Sequence, residues 1–143
     1  LKTYCTETRS YFTLYGEDFP LEVFTEEMGI SPTKAYRQGE KYIRVTTKHT
    51  HFETAWDLRI DDVLTDHPEE VIETLVDKLH NSVDIINSYK ESYKLQCKLV
   101  AVINFKTAQT QGLLISPKLV AFANKVGAPF EFDIYNESGE HSI

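Results

Sequence analysis

Residues 51–60 alternate in character along most of their length. Phe52, Trp56, Leu58 and Ile60 share one parity, and His51, Glu53, Asp57 and Arg59 share the other. A period of two suits a strand with one buried and one wetted face, the pattern of an antiparallel sheet. The same odd–even rule runs through residues 3–15, which are rich in Thr, Tyr and Phe. Ser10, Phe12 and Leu14 fall on one face there, and Arg9, Tyr11 and Thr13 on the other. Between Leu95 and Phe105 both faces are apolar, with Leu95, Cys97, Leu99, Ala101 and Ile103 on one side and Val100 and Val102 on the other. A strand greasy on both sides belongs in the middle of a sheet. Phe130, Phe132 and Ile134 alternate with Glu131, Asp133 and Tyr135 in a last strand. Lys41 to Thr47 reads as a further strand, joined to 51–60 by a turn around Lys48, His49 and Thr50.

Helical signals separate these strands. Asp18 is a candidate cap, Pro20 lies near the first turn, Leu21, Phe24 and Met28 recur at helical spacing, and Gly29 is placed to stop the helix. Asp66, Pro68, Glu69 and Glu70 open a second helix, whose acids suit the positive end of the helix dipole. Its stripe is Ile72, Leu75, Val76 and Leu79; Asn81 or Ser82 kinks or restarts it, and Val83, Ile86 and Tyr89 extend it. Ser116-Pro117 starts a third helix through Leu119, Val120, Phe122 and Ala123, and Gly127 ends it. Residues 31–40, punctuated by Pro32 and Gly39, read as a loop. The order β-α-β-β-α-β-α-β predicts a single α+β domain over residues 1–143, with 136–143 a loose tail. Its first six elements match the β-α-β-β-α-β order of a ferredoxin-like antiparallel sheet, with a helix and a strand added. The helices then cover one face of the sheet and leave the other open.

Charge narrows the function classes. Fifteen Lys+Arg against 22 Asp+Glu give a formal net charge of −7, which opposes a nucleic-acid partner. No apolar run is long enough to cross a bilayer, so a membrane partner is not expected. The sequence shows no signal-peptide pattern and only two cysteines, Cys5 and Cys97, without a C-x-x-C pair; the expectation is a cytoplasmic protein with free thiols. Both cysteines fall in strands, which leaves a contact between them open.

Motifs with chemistry are sparse. His49, His51 and Glu53 alternate and so can face a common metal, but the helix motif H-E-x-x-H is absent and a solvated hairpin face is the simpler reading. Asp61-Asp62, Asp66-His67 and Glu69-Glu70 form an acidic run without EF-hand spacing; helix capping and solubility account for it. No G-x-S-x-G elbow and no glycine-rich phosphate loop occurs, and Cys97 in a central strand is a poor nucleophile. The expectation is a non-enzymatic protein with no metal and no cofactor.

Several stretches resemble a known family. The first strand ends in Gly16-Glu17-Asp18-Phe19; a short helix then ends in Met28-Gly29-Ile30-Ser31-Pro32-Thr33, followed by Arg37-Gln38-Gly39-Glu40. Ala55-Trp56-Asp57-Leu58 and the closing Phe132-Asp133-Ile134-Tyr135 fit as well. Across residues 3–135 the chain resembles the bacterial family catalogued as domain of unknown function 4279. That resemblance implies a small stand-alone bacterial protein and transfers no catalytic residue. By analogy it is consistent with toxin immunity or phage–host conflict.

What remains is the open sheet face and the 31–40 loop beside it. Arg9, Tyr11, Arg44, His51 and Arg59 fall on polar strand faces, and Lys34, Tyr36 and Arg37 lie in the loop. Arg and Tyr are enriched where proteins bind proteins. The expected function is recognition of another protein by occlusion, as an immunity or conflict factor, with a basic partner suited to the acidic chain. The alternative is a small-ligand sensor or an enzyme with a pocket between the sheet and the 31–40 loop.

Overall fold

The computed structural model of the chain describes residues 3–108 and 111–137. In chain order the elements are β1 (Thr6–Gly16), α1 (Leu21–Met28), β2 (Lys34–Tyr36), β3 (Lys41–Arg44), β4 (Thr47–Thr50), β5 (Thr54–Thr65), α2 (Glu69–Leu79), a 3-10 turn (His80–Ser82), α3 (Val83–Tyr93), β6 (Gln96–Phe105), α4 (Pro117–Val126) and β7 (Phe130–Asn136). Five strands form one sheet in the order β2-β5-β1-β6-β7. β1 runs antiparallel to both β5 and β6, and β2 antiparallel to β5. β6 and β7 run parallel, joined across α4.

The α+β class is as expected, but the sheet is mixed rather than antiparallel, and its order is not the ferredoxin-like one the element sequence suggested. The difference lies at residues 41–50. They form their own two-stranded hairpin, β3 with β4, outside the main sheet. Every residue of both strands is exposed, so neither has a face to bury against the helices. The turn sits at Val45-Thr46, not at 48–50, with Val45 at a φ of 60°. The 31–40 segment, expected as a loop, supplies the short edge strand β2. The tail was expected from residue 136, but Asn136 is still the last residue of β7; residues 138–143 lie outside the described residues.

The core lies between the sheet and the helices. Phe12, Leu14, Trp56, Leu58, Leu99, Ala101 and Ile103 pack there against the stripes Phe24, Ile72, Leu75, Leu79, Ile86, Leu119 and Phe122. Odd–even counting finds these faces, and helical spacing finds the stripes. Trp56 is fully buried, meets the edge of Phe24 at 5.1 Å, and donates from Nε1 to Thr25 Oγ1 at 3.0 Å. A buried indole needs such a partner. Gly29 closes α1 in the left-handed region, and Ser116 Oγ accepts from the Leu119 amide at the start of α4. Pro20 and Pro68, rather than Asp18 and Asp66, occupy the N-cap positions of α1 and α2; Asp66 Oδ1 instead accepts from the Cys5 amide at 2.9 Å. Cys97 pairs with Leu14, whereas Cys5 precedes the far end of β1. About nine residues of strand, on the order of 30 Å, therefore separate the buried thiols.

Candidate functional site

Register decides which side chains meet on the face away from the helices. Phe12 and Leu14 enter the core, so Tyr11, Thr13 and Tyr15 point the opposite way. Thr13 is paired with Asp57 on β5 and Lys98 on β6, and Asp57 with Lys34 on β2. One row thus reads Lys34–Asp57–Thr13–Lys98 across the sheet. The next row toward the end of β1 is Tyr36–Ala55–Tyr15–Gln96. On the other side lie Arg59, Tyr11 and Val100. Short side chains hold the middle and long ones stand around them. A depression of this shape follows from the arithmetic of the register alone.

The structure shows that depression as a half-open cleft of about 570 Å³. Tyr11, Tyr15, Tyr36, Lys34, Arg59 and Lys98 wall it, Asp57 and Thr13 lie at its floor, and Phe52 and Glu53 complete the rim. Arg9 also reaches it, from a β-bulge. Between the pairs Thr8–Val63 and Ser10–Ile60, Asp61 and Asp62 together oppose Arg9. The bulge surrounds the cations with carboxylates: Arg9 lies 3.7 Å from Asp62, and Arg59 Nε donates to Asp61 at 2.8 Å. Lys98 sits 3.4 Å from Glu131. Among the described residues Lys34 has no carboxylate within ion-pair distance; its ammonium lies 5.3 Å from the Tyr36 ring centre.

The floor is electrostatically tense. Burial pushes the Asp57 carboxyl up, against the pull of a Thr13 hydrogen bond and of Lys34, Arg59 and Lys98. Its Oδ1 is buried with no hydrogen-bond partner. Burial, with the charges of Asp57 and Glu53, pushes the Tyr36 hydroxyl up to about 12. Tyr11 and Glu53 are raised as well, chiefly by burial. Desolvation dominates at each of these groups, the signature of a concave polar surface.

A second feature stands at the cleft edge. Tyr36, His51, Tyr42 and His49 stack in a column, with ring centres 3.7, 4.1 and 5.4 Å apart in that order. Gly39 donates to the His51 carbonyl and His51 to that of Glu40, both at 2.8 Å, so the β3–β4 hairpin meets the sheet edge at this column. Burial, then the charge of Lys34, lowers the His51 pKa. Arg44 and His51 line a neighbouring cleft of about 430 Å³ between hairpin and β2, together with Lys34 and Tyr36.

The residues singled out from the sequence therefore divide. Arg9, Tyr11, Lys34, Tyr36 and Arg59 line the sheet cleft, and Arg44 and His51 the hairpin cleft. Arg37 lines neither; its guanidinium pairs with Glu22 and reaches the Phe19 carbonyl at 3.5 Å. Phe52 was expected beside Trp56 in the core. It precedes β5, where strand parity has not begun, and is 81% exposed. Phe52 and Glu53 border both clefts and a third at the end of β1. His49 and His51 stack on Tyr42 rather than converging with Glu53, and no group of three or more metal-ligating side chains occurs among the described residues. Tyr15 and the floor position of Thr13 escape sequence reading, because both depend on strand order.

Comparison with known proteins returns one finding. The model of a family described as "Domain of unknown function (DUF4279)" matches residues 6–137. No curated protein and no solved structure matches. Among the described residues no helix is long and apolar enough to cross a membrane.

Proposed function

The chain belongs to the DUF4279 family, and on that footing we propose that it is a non-enzymatic recognition module whose open sheet face binds another protein. The observation that carries this reading is Phe52. A large ring left 81% exposed stands where three clefts meet, with Arg and Tyr side chains around it. Ile43 and Val45 on the adjoining hairpin are exposed too. Aromatic anchors rimmed by Arg and Tyr are the usual centres of protein interfaces, and contiguous exposed apolar groups mark partner surfaces. Action is by occlusion: the bound partner loses access to its own target, as expected of an immunity or conflict factor.

Charge shapes the contact. The net −7 favours a basic partner at long range, whereas the cleft itself is lined by Arg9, Lys34, Arg59 and Lys98. The test is photo-crosslinking. p-Benzoylphenylalanine in place of Phe52 should trap a discrete partner in cells, and the same probe in place of the exposed Val120 on α4 should not. Equal trapping at both positions, or at neither, refutes the reading.

A second reading, a small-ligand sensor, is favoured by one observation. The cleft between sheet and 31–40 segment has a volume within the roughly 300–1,000 Å³ of small-molecule sites.

A further inference from the structure

We infer that the chain pairs with a second copy of itself along the outer edge of β7, extending the five-stranded sheet to ten strands about a two-fold axis at Ile134. The inference is independent of the protein-binding reading, whose surface centres on β2, β5 and β1. Three observations carry it. The first is the edge itself. The sheet ends at β2 on one side and at β7 on the other. β2 has three residues, whereas β7 has seven and carries no proline, glycine or lysine. Short strands, prolines and lysines are the usual means of keeping an edge unpaired. The second is hydrogen bonding. Leu99 N–H donates to the Pro129 carbonyl at 3.0 Å, and Glu137 N–H to that of Phe105 at 2.8 Å. A parallel ladder bonds alternate residues, so the odd positions of β7 face β6, and Phe132 and Ile134 turn N–H and C=O outward. Among the described residues no hydrogen bond is made to them there. The third is apolar surface. Phe130, Phe132 and Ile134 stand in register with Leu99, Ala101 and Ile103 on the helix side of the sheet, but Ile134 is 54% exposed. The core face therefore runs out to the edge with its last residue uncovered.

Charge selects the occupant and the register. In an antiparallel pair about a two-fold axis perpendicular to the sheet, opposite residues share a face. Centring that pair on Phe132 opposes Glu131 to Asp133, and centring it on Asp133 opposes that carboxylate to its own copy. Like charges directly opposite are destabilising. Centring on Ile134 instead sets Asp133 against Tyr135, a carboxylate against a phenol able to donate to it. The two Ile134 side chains then cover each other on the helix side, and the two residues exchange their outward hydrogen bonds. Glu131 falls opposite Glu137, but each already has a lysine of its own, Lys98 and Lys106. β7 is thus complementary to itself in the register centred on Ile134, the requirement of an isologous interface. A perpendicular axis keeps both helix layers on one side, so the two sheet clefts open together on the other.

The test is sedimentation equilibrium on the full chain from about 10 µM to about 1 mM, a range that spans weak and moderate dimers. The mass should rise from the 16.5 kDa of one chain toward twice that value as concentration increases. Ile134→Lys sets two ammonium groups face to face on the axis; it should weaken the dimer at least about tenfold, with circular dichroism showing the variant folded. Phe52→Ser, on the open face, should leave the dimer intact. Hydrogen exchange on the parent chain needs no variant: the outward Ile134 amide should become protected as the dimer fills. A chain that stays monomeric throughout overturns the proposal. So does a dimer whose Ile134 amide stays unprotected, or one weakened by Phe52→Ser and not by Ile134→Lys, which would place the contact on the open face.

Discussion

Asp57→Asn should make the protein more stable, and more so at higher pH. In the folded chain burial holds the Asp57 proton to a higher pH than the ordinary 3.8. Above that ordinary value the unfolded chain has released the proton while the folded chain retains part of it. The folded state then binds more protons, so stability falls as pH rises through the interval up to the folded pKa. At neutral pH the protein carries a buried carboxylate with one oxygen unpartnered. Stranding such a group costs about 1–3 kcal/mol. Asparagine keeps the shape and an acceptor for the Thr13 hydroxyl; it still places a polar atom at the unpartnered position, but a neutral one, which is cheaper to bury than a charged one, and it cannot ionise. It also forfeits the attraction of Lys34, Arg59 and Lys98, which places the net gain at the lower end, about 1 kcal/mol. At an unfolding entropy of about 2.1 cal/mol/K per residue, 143 residues convert that to roughly 3 °C in Tm. Thermal unfolding of both proteins at pH 8, 6 and 4.5 checks the argument. The Tm gap should be widest at pH 8 and shrink as the pH approaches the ordinary carboxylate range. A variant less stable than the parent at pH 8, or a gap independent of pH, refutes it.

Trp56→Phe removes the bond to Thr25 and part of a fully buried ring, so it should cost roughly 2–3 kcal/mol, read as a drop in Tm. Val45→Gly relieves a β-branched residue held at a φ of 60°, and should raise hydrogen-exchange protection across 47–50 while scarcely changing global unfolding. Arg37→Ala breaks an exposed pair with Glu22 and touches no cleft, so it should leave both Tm and crosslinking from position 52 nearly unchanged. His51 has a pKa below 6.5, so the folded state resists its protonation and the contribution of the ring column weakens as pH falls through that range. Ring-current shifts of Tyr36 and Tyr42 should diminish on acidification, and should lose that dependence in His51→Phe.

Much of the fold was legible because one period at a time was at work. Phe12, Leu14, Trp56, Leu58 and Leu99 are assigned to the core by parity within single strands, and parity needs no knowledge of neighbours. The helix stops at Gly29 and Gly127 are equally local, since each needs the left-handed region. Residues 41–50 failed for a related reason. A strand does begin at Lys41, but it ends at Arg44, and the turn expected at 48–50 belongs to its partner strand; parity, besides, cannot say which sheet a strand joins. That choice depends on buried area, and these residues turn no buried face toward the helices. Phe52 failed because alternation was carried two residues beyond the start of β5. The candidate cleft was half legible. Arg9, Tyr11 and Arg59 fall on one face by counting, whereas the row Lys34–Asp57–Thr13–Lys98 appears only once β2, β5, β1 and β6 are known to lie side by side.

That row also shows why whole-chain charge is a poor guide to this partner. The acids of α1, α2 and α3 (among them Glu22, Glu69, Glu70 and Asp84) occupy helices on the far side of the sheet. Around the cleft, each of Arg9, Arg59 and Lys98 is matched by a carboxylate on its own or a neighbouring strand. Salt screens exposed charges beyond about 8–10 Å, so a group entering the cleft feels this local set far more than the remote helices. Asp57 at the floor and Lys34 beside it, two opposite charges, then dominate. A basic partner is compatible with the molecule as a whole, provided that the group it inserts between Lys34 and Lys98 satisfies both those cations and the Asp57 carboxylate between them.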